Sequence, residues 1–174
     1  MKKYEITKET IVKYKMKDEF PEVFEVKLEV GKWYKNDQNA IFFTCNVNDK
    51  KPYGYGITAG KVFVEDDNFA AWSVSGIELA TKQEVFEALK KEAIKREIKV
   101  GAYVSRTQEM LNLNDTHRAE LNVQICKNLF DYSETKNSLS IDGRVVFING
   151  TWATIIPTKT KEEAEKLLNC KILN

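Results

Sequence analysis

The stretch from Ser138 to Ile156, SLSI-DG-RVVFI-NG-TWATII, leaves this chain little conformational freedom. Two short runs rich in β-forming residues each end in an Asp-Gly or Asn-Gly pair. Such pairs readily take positive φ at both central positions, as a type I′ hairpin turn requires. The reading is a three-stranded antiparallel meander over residues 138–156. With Asn149-Gly150 as the loop, Ile148 faces Thr151 and Phe147 faces Trp152, so the two rings form a cross-strand pair on one face. Pro157 then ends the third strand by removing a donor.

Two helices announce themselves by their first turns. In TKEEAEKLL, Thr160 and Glu163 make a capping box, and a short helix over about 161–168 follows. Ala164, Leu167 and Leu168 form its apolar stripe, with Glu162 and Lys166 at i,i+4 on the wet side. The same signal, Thr81 with Glu84, opens the longest helix, about 82–97. Val85, Phe86, Leu89 and Ala93 line its apolar face. Glu87 with Lys91, and Glu92 with Arg96, pair across turns on the opposite face, which reads as solvated.

Before this helix the chain reads mostly as β-structure. LEVGKWYK, AIFFTCNV, GYGIT, KVFVE and FAAWSVS are short runs of strand-forming residues, separated by turn clusters. Up to five strands are expected there. Nearer the N-terminus, Val12, Met16 and Phe20 fall at helical spacing. After the long helix, KVGAYVS reads as a strand and RTQEMLNLND is ambiguous. AELNVQIC alternates, with Ala119, Leu121, Val123 and Ile125 on one face. The fold class is therefore α+β: small antiparallel β-sheets or part-open barrels in two β-rich halves, with a central and a C-terminal helix. The halves are 1–98 and 99–174, as two units or one continuous domain.

A length of 174 residues suffices for one ordinary core. The 27 basic and 26 acidic residues leave a net charge of +1, which argues against a dedicated nucleic-acid binder but leaves room for a local basic patch. Cys45, Cys126 and Cys170 match no metal or redox spacing and fit reduced thiols in a cytosol. The N-terminus has no apolar signal segment, and no run approaches membrane-spanning length. A cytoplasmic protein is expected.

The stretch GYGITAGKVFV tests for phosphate chemistry. A P-loop needs a glycine at position 55, a hydroxyl after Lys61 and a helix to follow; the chain has Tyr55, Val62 and a strand. A dinucleotide-binding loop fails for the same lack of a helix. The stretch reads instead as a hairpin turned at Ala59-Gly60, with Gly54 and Gly56 at strand ends or bulges. His117, the single histidine, reads as a surface-loop residue, and no catalytic residue, metal site or cofactor site is expected. Asp66, Asp67 and Asp115 fall in turns. Lys50, Lys51, Tyr53 and Tyr55, in NDKKPYGYG, are the candidate binding residues, because bases or sugars stack on exposed aromatics beside lysines.

The phrases FPEVFEVKLEVGKWYK, VFEALKKEAIKREIKVGAYV, GRVVFINGTWATII and TKEEAEKLLNCKI resemble modules in small proteins of tailed bacteriophages and prophages. The chain departs from that pattern at Arg96-Glu97, where relatives tend to show Arg-Gly, and in a longer stretch over 106–118. The resemblance implies a phage-encoded accessory protein at work inside a bacterium, and it carries over no catalytic residue. Three function classes follow. The favoured one is a non-enzymatic binding protein whose partner is a host or phage protein, as a host-factor or host-defence antagonist or a minor virion component. The others are a nucleic-acid-binding β-barrel module and an enzyme with an acidic site.

Overall fold

The computed structural model describes residues 26–65, 71–113, 120–158 and 160–172. The helix expected around Val12, Met16 and Phe20, and the residues Asp66, Asp67, Asp115 and His117, lie outside them. In chain order the elements are β1 (Trp33–Lys35), β2 (Ile41–Phe43), β3 (Asn46–Asn48), β4 (Lys51–Tyr53), β5 (Gly56–Ile57), β6 (Phe63–Val64), β7 (Glu78–Leu79), helix α1 (Lys82–Lys95), β8 (Tyr103–Ser105), helix α2 (Gln108–Asn112), β9 (Asn122–Gln124), β10 (Phe130–Ser133), β11 (Ser138–Ile141), β12 (Arg144–Ile148), β13 (Thr151–Trp152), β14 (Thr154–Ile156) and helix α3 (Lys161–Leu168). The fold is α+β. Among the described residues it comprises four small antiparallel sheets and three helices, with no closed barrel.

The two turns form as their residue types dictate. Asp142-Gly143 and Asn149-Gly150 all take positive φ, and β12 pairs with both neighbours, Phe147 opposite Trp152 at a ring separation of 4.7 Å. The third strand departs from expectation. It leaves the sheet at Ala153, whose N–H still donates to Val146, and its second half, β14, pairs instead with β8. A strand that changes sheets makes a corner, and this one keeps Trp152 and Ile156 buried on either side of the bend. On the far side, β10 adds a fourth strand, so the sheet runs β10-β11-β12-β13.

The front of the chain builds a five-stranded sheet in the order β6-β5-β2-β1-β7. AIFFTCNV splits into β2 and β3, and the turn-like cluster NDKKP supplies the turn and the start of β4, hairpinned to β3. The segment FAAWSVS gives no strand among its described residues beyond an isolated bridge from Ala71 to Tyr53. Its tryptophan is a lid: Trp72 stacks on Phe42 at 4.9 Å and donates to the Gly54 carbonyl. Trp72 thus closes a small outer core of Tyr34, Ala40 and Phe42, while Trp33, next along β1, faces the main core.

Both capping boxes are present. Along α1, Val85, Leu89 and Ala93 are buried, as the periodicity requires. Glu92 is a correction. The sequence puts it on the solvated face, yet it is only 5 % exposed, because it lies three residues after Leu89 and one before Ala93, at the flank of the buried stripe. The Glu87–Lys91 pair does not form either; Glu87 accepts from Gln83 instead. On α3, Ala164 and Leu168 pack inward while Leu167 points to solvent.

One apolar cluster runs through both halves, with Trp33, Tyr55 and Phe63 from the front and Phe147, Trp152 and Ala153 from the back. Rings join them edge to face: Trp33 to Tyr55 at 5.8 Å, Tyr55 to Phe147 at 6.1 Å, and Phe63 to Trp152 at 5.6 Å. At the seam sits Asn137, 7 % exposed and in the left-handed region. Its Oδ1 accepts from the Trp33 indole at 2.7 Å and the Tyr132 hydroxyl at 3.2 Å, and its Nδ2 donates to the Tyr55 hydroxyl. Burial pushes the Tyr132 phenol up to about 12. Removing the amide strands three buried polar groups at once. Asn137→Ala is expected to lower the unfolding free energy by about 3–5 kcal/mol, read from denaturant curves followed by tryptophan fluorescence. A loss below about 1 kcal/mol would show that these groups find other partners.

Candidate functional site

The residues singled out by sequence do not form one surface. Lys50 and Lys51 are exposed on the β3–β4 hairpin, Lys50 at positive φ in its turn. Tyr53 is half-buried at the end of β4, opposite Asn46. Tyr55 is a core residue, 3 % exposed, with its ring 5.2 Å from Phe43, and it offers no face to a ligand. Burial drives its phenol well above the ordinary tyrosine value. The flanking glycines explain the placement. A Cβ on Gly54 would lie 1.9 Å from the Phe43 carbonyl oxygen, and one on Gly56 would lie 2.3 Å from that of Ile41. Only glycine lets this backbone cross so close to β2 and turn Tyr55 inward.

The hairpin after β5 turns at Ala59-Gly60, as expected. Lys61 N–H donates to the Thr58 carbonyl, and Lys61 itself takes φ +59°. Between this hairpin and α1 lies a groove of about 570 Å³. Its apolar lining is Ile41 and Ile57 from the sheet, Ala59, exposed at the hairpin tip, and Ala88 from the helix. Charged side chains complete the lining: Lys61, Lys91 and Lys95, with Glu84, Glu87 and the buried Glu92.

These charges divide into fixed and free. Glu84 belongs to the α1 cap: it accepts from the Thr81 N–H and hydroxyl, each at 2.8 Å, and pairs with Lys35 of β1. Lys35 also meets Glu78 at 3.1 Å, so one ammonium ties β1, β7 and α1 together. Glu92 receives Arg96 Nε at 2.8 Å and lies 3.7 Å from Lys95 Nζ. Arg96 also meets Glu65 at 2.8 Å, with its guanidinium carbon 5.4 Å from the Phe63 ring centre and 5.2 Å from that of Trp152. Lys95 Nζ donates to the Lys61 carbonyl at 2.7 Å, fastening the hairpin tip to the helix. Lys61 and Lys91 have no carboxylate partner among the described residues.

Other charged features are spent within the fold. A second hollow of about 610 Å³ lies along Gly150–Ile155, but its ions, Arg96 and Glu65, neutralise each other. Arg144, buried in β12, meets Asp142 at 2.9 Å and Glu120 at 3.4 Å, and Arg106 donates to the Glu120 carbonyl. Such buried charges stand only because they are paired. Among the described residues, no three His, Cys, Asp or Glu side chains group closely enough to hold a metal, and no helix is long and apolar enough to cross a membrane.

The groove was not legible in sequence, because its walls are 30 residues apart and its lysines look like ordinary surface charge. The one available signal is that Lys61 occupies a hairpin position where glycine is the easier choice. No protein-family model matches the chain, and neither a curated protein nor a solved structure does.

Two outcomes follow. Tyr55→Ala is expected to lower stability by about 3–5 kcal/mol, whereas Tyr53→Ala is expected to cost no more than about 1–2 kcal/mol; thermal melts of the two variants make the comparison. The second concerns acid. The Lys35 hydrogen bond, followed by those from Thr81, holds the Glu84 carboxyl down from 4.5 to about 2. A depressed carboxyl stabilises the fold fully above its unfolded value and loses that contribution as it protonates. The melting temperature should therefore fall as pH drops from 4.5 toward about 2, and Glu84→Gln should flatten that part of the profile. An unchanged acid slope in Glu84→Gln would show that the pair contributes nothing there.

Proposed function

We propose that this chain is a non-enzymatic binding protein and that the groove between α1 and the β5–β6 hairpin is its recognition surface. The observation that carries this reading is the groove itself, with apolar side chains from sheet, hairpin and helix flanked by the exposed Lys61 and Lys91, which form no ion pair among the described residues. Recognition sites are concave and mostly apolar, with a few polar groups to orient the occupant. The carboxylates beside them suit structure better than acid–base chemistry. Glu84, held near 2, stays ionised at neutral pH, far from the value a general acid needs. Glu92 is committed to Arg96.

The resemblance to tailed-phage modules leads us to seek the partner among the proteins of a bacterial host or of the phage itself. That partner is a host factor or defence component to be antagonised, or a neighbour in the virion, met in the bacterial cytoplasm. The reading is tested by photo-cross-linking in the native host, with the reactive residue at Ala59 and, as control, at Glu162 on α3. Capture of a stoichiometric protein at Ala59 alone is expected, and it should disappear when Ala88→Trp fills the floor of a chain that still melts normally. Equal capture at both positions, capture indifferent to Ala88→Trp, or recovery of nucleic acid alone would overturn it.

A further inference from the structure

Taking the groove as the recognition surface, we infer that Lys95 is its positioning residue: the ammonium sets how far the tip of the β5–β6 hairpin stands from α1, and so fixes the width of the groove for its occupant.

The tip needs such a hold because little else fixes it. Its own hydrogen bonds close on themselves: Thr58 N–H donates to the Val62 carbonyl at 2.9 Å, Lys61 N–H to the Thr58 carbonyl at 2.8 Å, and Val62 N–H to Thr58 Oγ1 at 3.2 Å. Ala59, Gly60, Lys61 and Val62 are all exposed, so packing does not hold them. β6 stands at one end of its sheet, with β5 as its neighbour there, and each of these strands is two residues long. The firm point lies below the tip, where Phe63 packs on Phe147 and Trp152. Among the described residues, the single hydrogen bond between residues 58–62 and α1 runs from Lys95 Nζ to the Lys61 carbonyl at 2.7 Å.

Lys95 is itself directed. Its Nζ lies 3.7 Å from Glu92 Oε2, one turn earlier on the helix, while Glu92 Oε1 accepts from Arg96 Nε at 2.8 Å. Arg96 in turn reaches Glu65 at 2.8 Å. A buried carboxylate thus stands between two cations that grip β6 on either side, at Lys61 before it and at Glu65 after it. Two holds stop a strand from pivoting, whereas one lets it turn about that point. With Arg96 alone, the wall keeps its base and loses the position of its tip. Ala59, Lys61 and Lys95 all line the groove, so the position of the tip decides its width.

This role differs from support of the whole fold. The Lys95 side chain is 57 % exposed, and bonds made by so exposed an ammonium add little to global stability. Local opening is another quantity. A segment with few buried contacts opens at a free energy well below that of global unfolding, and one added bond counts there. Binding responds to the local quantity, because a tip that must be ordered on contact subtracts its ordering cost from the affinity.

The experiment is amide hydrogen exchange of the full chain, read residue by residue by NMR, beside the photo-cross-linking at Ala59. Lys95→Met keeps the stem and removes the donor. It is expected to speed exchange at Thr58 and Lys61 about two- to fivefold. The melting temperature should stay unchanged, and so should exchange at Thr44, whose N–H is bonded to the Lys32 carbonyl. Capture at Ala59 should fall in the same variant. Lys95→Arg, which can still donate to the Lys61 carbonyl, should restore both exchange and capture. Unchanged exchange at Thr58 and Lys61 in Lys95→Met overturns the inference, since the tip is then held by something else. Faster exchange with intact capture overturns it while leaving the groove as the recognition surface. A lowered melting temperature with exchange quickened at Thr44 as well assigns Lys95 to support of the whole fold and overturns it. Absence of capture from the unaltered chain removes the recognition reading, and any part for Lys95 in binding with it.

Discussion

The side-chain amide of Asn137 is the tie on which the rest of the structure depends. An amide offers two acceptor sites and two donors, and this one uses its oxygen for Trp33 and Tyr132 and its nitrogen for Tyr55. Trp33 lies in β1 of the five-stranded sheet and Tyr55 just before its β5; Tyr132 lies in β10 and Asn137 ends the turn of the β10–β11 hairpin. Aromatic rings alone would let the halves slide, because dispersion is nondirectional. A buried amide with three specific partners fixes the register, since any slip leaves polar groups unpaired in a dry interior. Gly150 adds a steric lock: a Cβ there would lie 2.7 Å from the Tyr55 ring. The turn that shapes the meander thus also seats the tyrosine that the amide holds.

From that seam the placement of the groove follows. Phe63, on the inner face of β6, packs against Phe147 and Trp152, which anchors the β5–β6 hairpin to the back half. Arg96 lies near both Phe63 and Trp152 and reaches Glu65 and Glu92, so the end of α1 is held to the same aromatic group. At the other end of α1, Lys35 grips Glu84. The helix is therefore pinned at both ends to the sheet it faces, and the space between them is a consequence of two anchored walls.

What the sequence disclosed was local chemistry. Asp142-Gly143, Asn149-Gly150 and the two Thr–Glu capping boxes act within a few residues, and the Phe147–Trp152 pair needs only the turn length. What it concealed was decided at long range. Nothing in TWATII says that the strand changes partners at Ala153, because the choice belongs to β8, some fifty residues earlier. Asn137, in SETKNS, looks like a turn residue and is one; its burial comes from the sheet laid over it. Tyr55 reads as an exposed aromatic beside lysines because the close backbone crossing that Gly54 and Gly56 serve depends on β2, which the local sequence does not show. Glu92 looked solvated because its i,i+4 arginine suggested a surface pair, yet the same arginine is what makes its burial tolerable.

The charged residues of this molecule fall into two kinds, and the division bears on how it works. Those that hold the fold are engaged and partly or wholly withdrawn from water: Glu92 with Arg96, Arg144 with Asp142, Lys35 with Glu84. A partner protein gains little from such groups, because breaking an existing pair offsets the new one. Lys61 and Lys91 are of the other kind, exposed and without an ion-paired carboxylate among the described residues. Exposed charge of this kind remains available for attraction at a distance. The hairpin under Lys61 is held through its backbone carbonyl by Lys95, so the side chain takes no part in the support of its own loop. A rigid mount with an uncommitted charge is what selective recognition requires: the geometry is fixed before contact, and the electrostatic gain is kept for the complex.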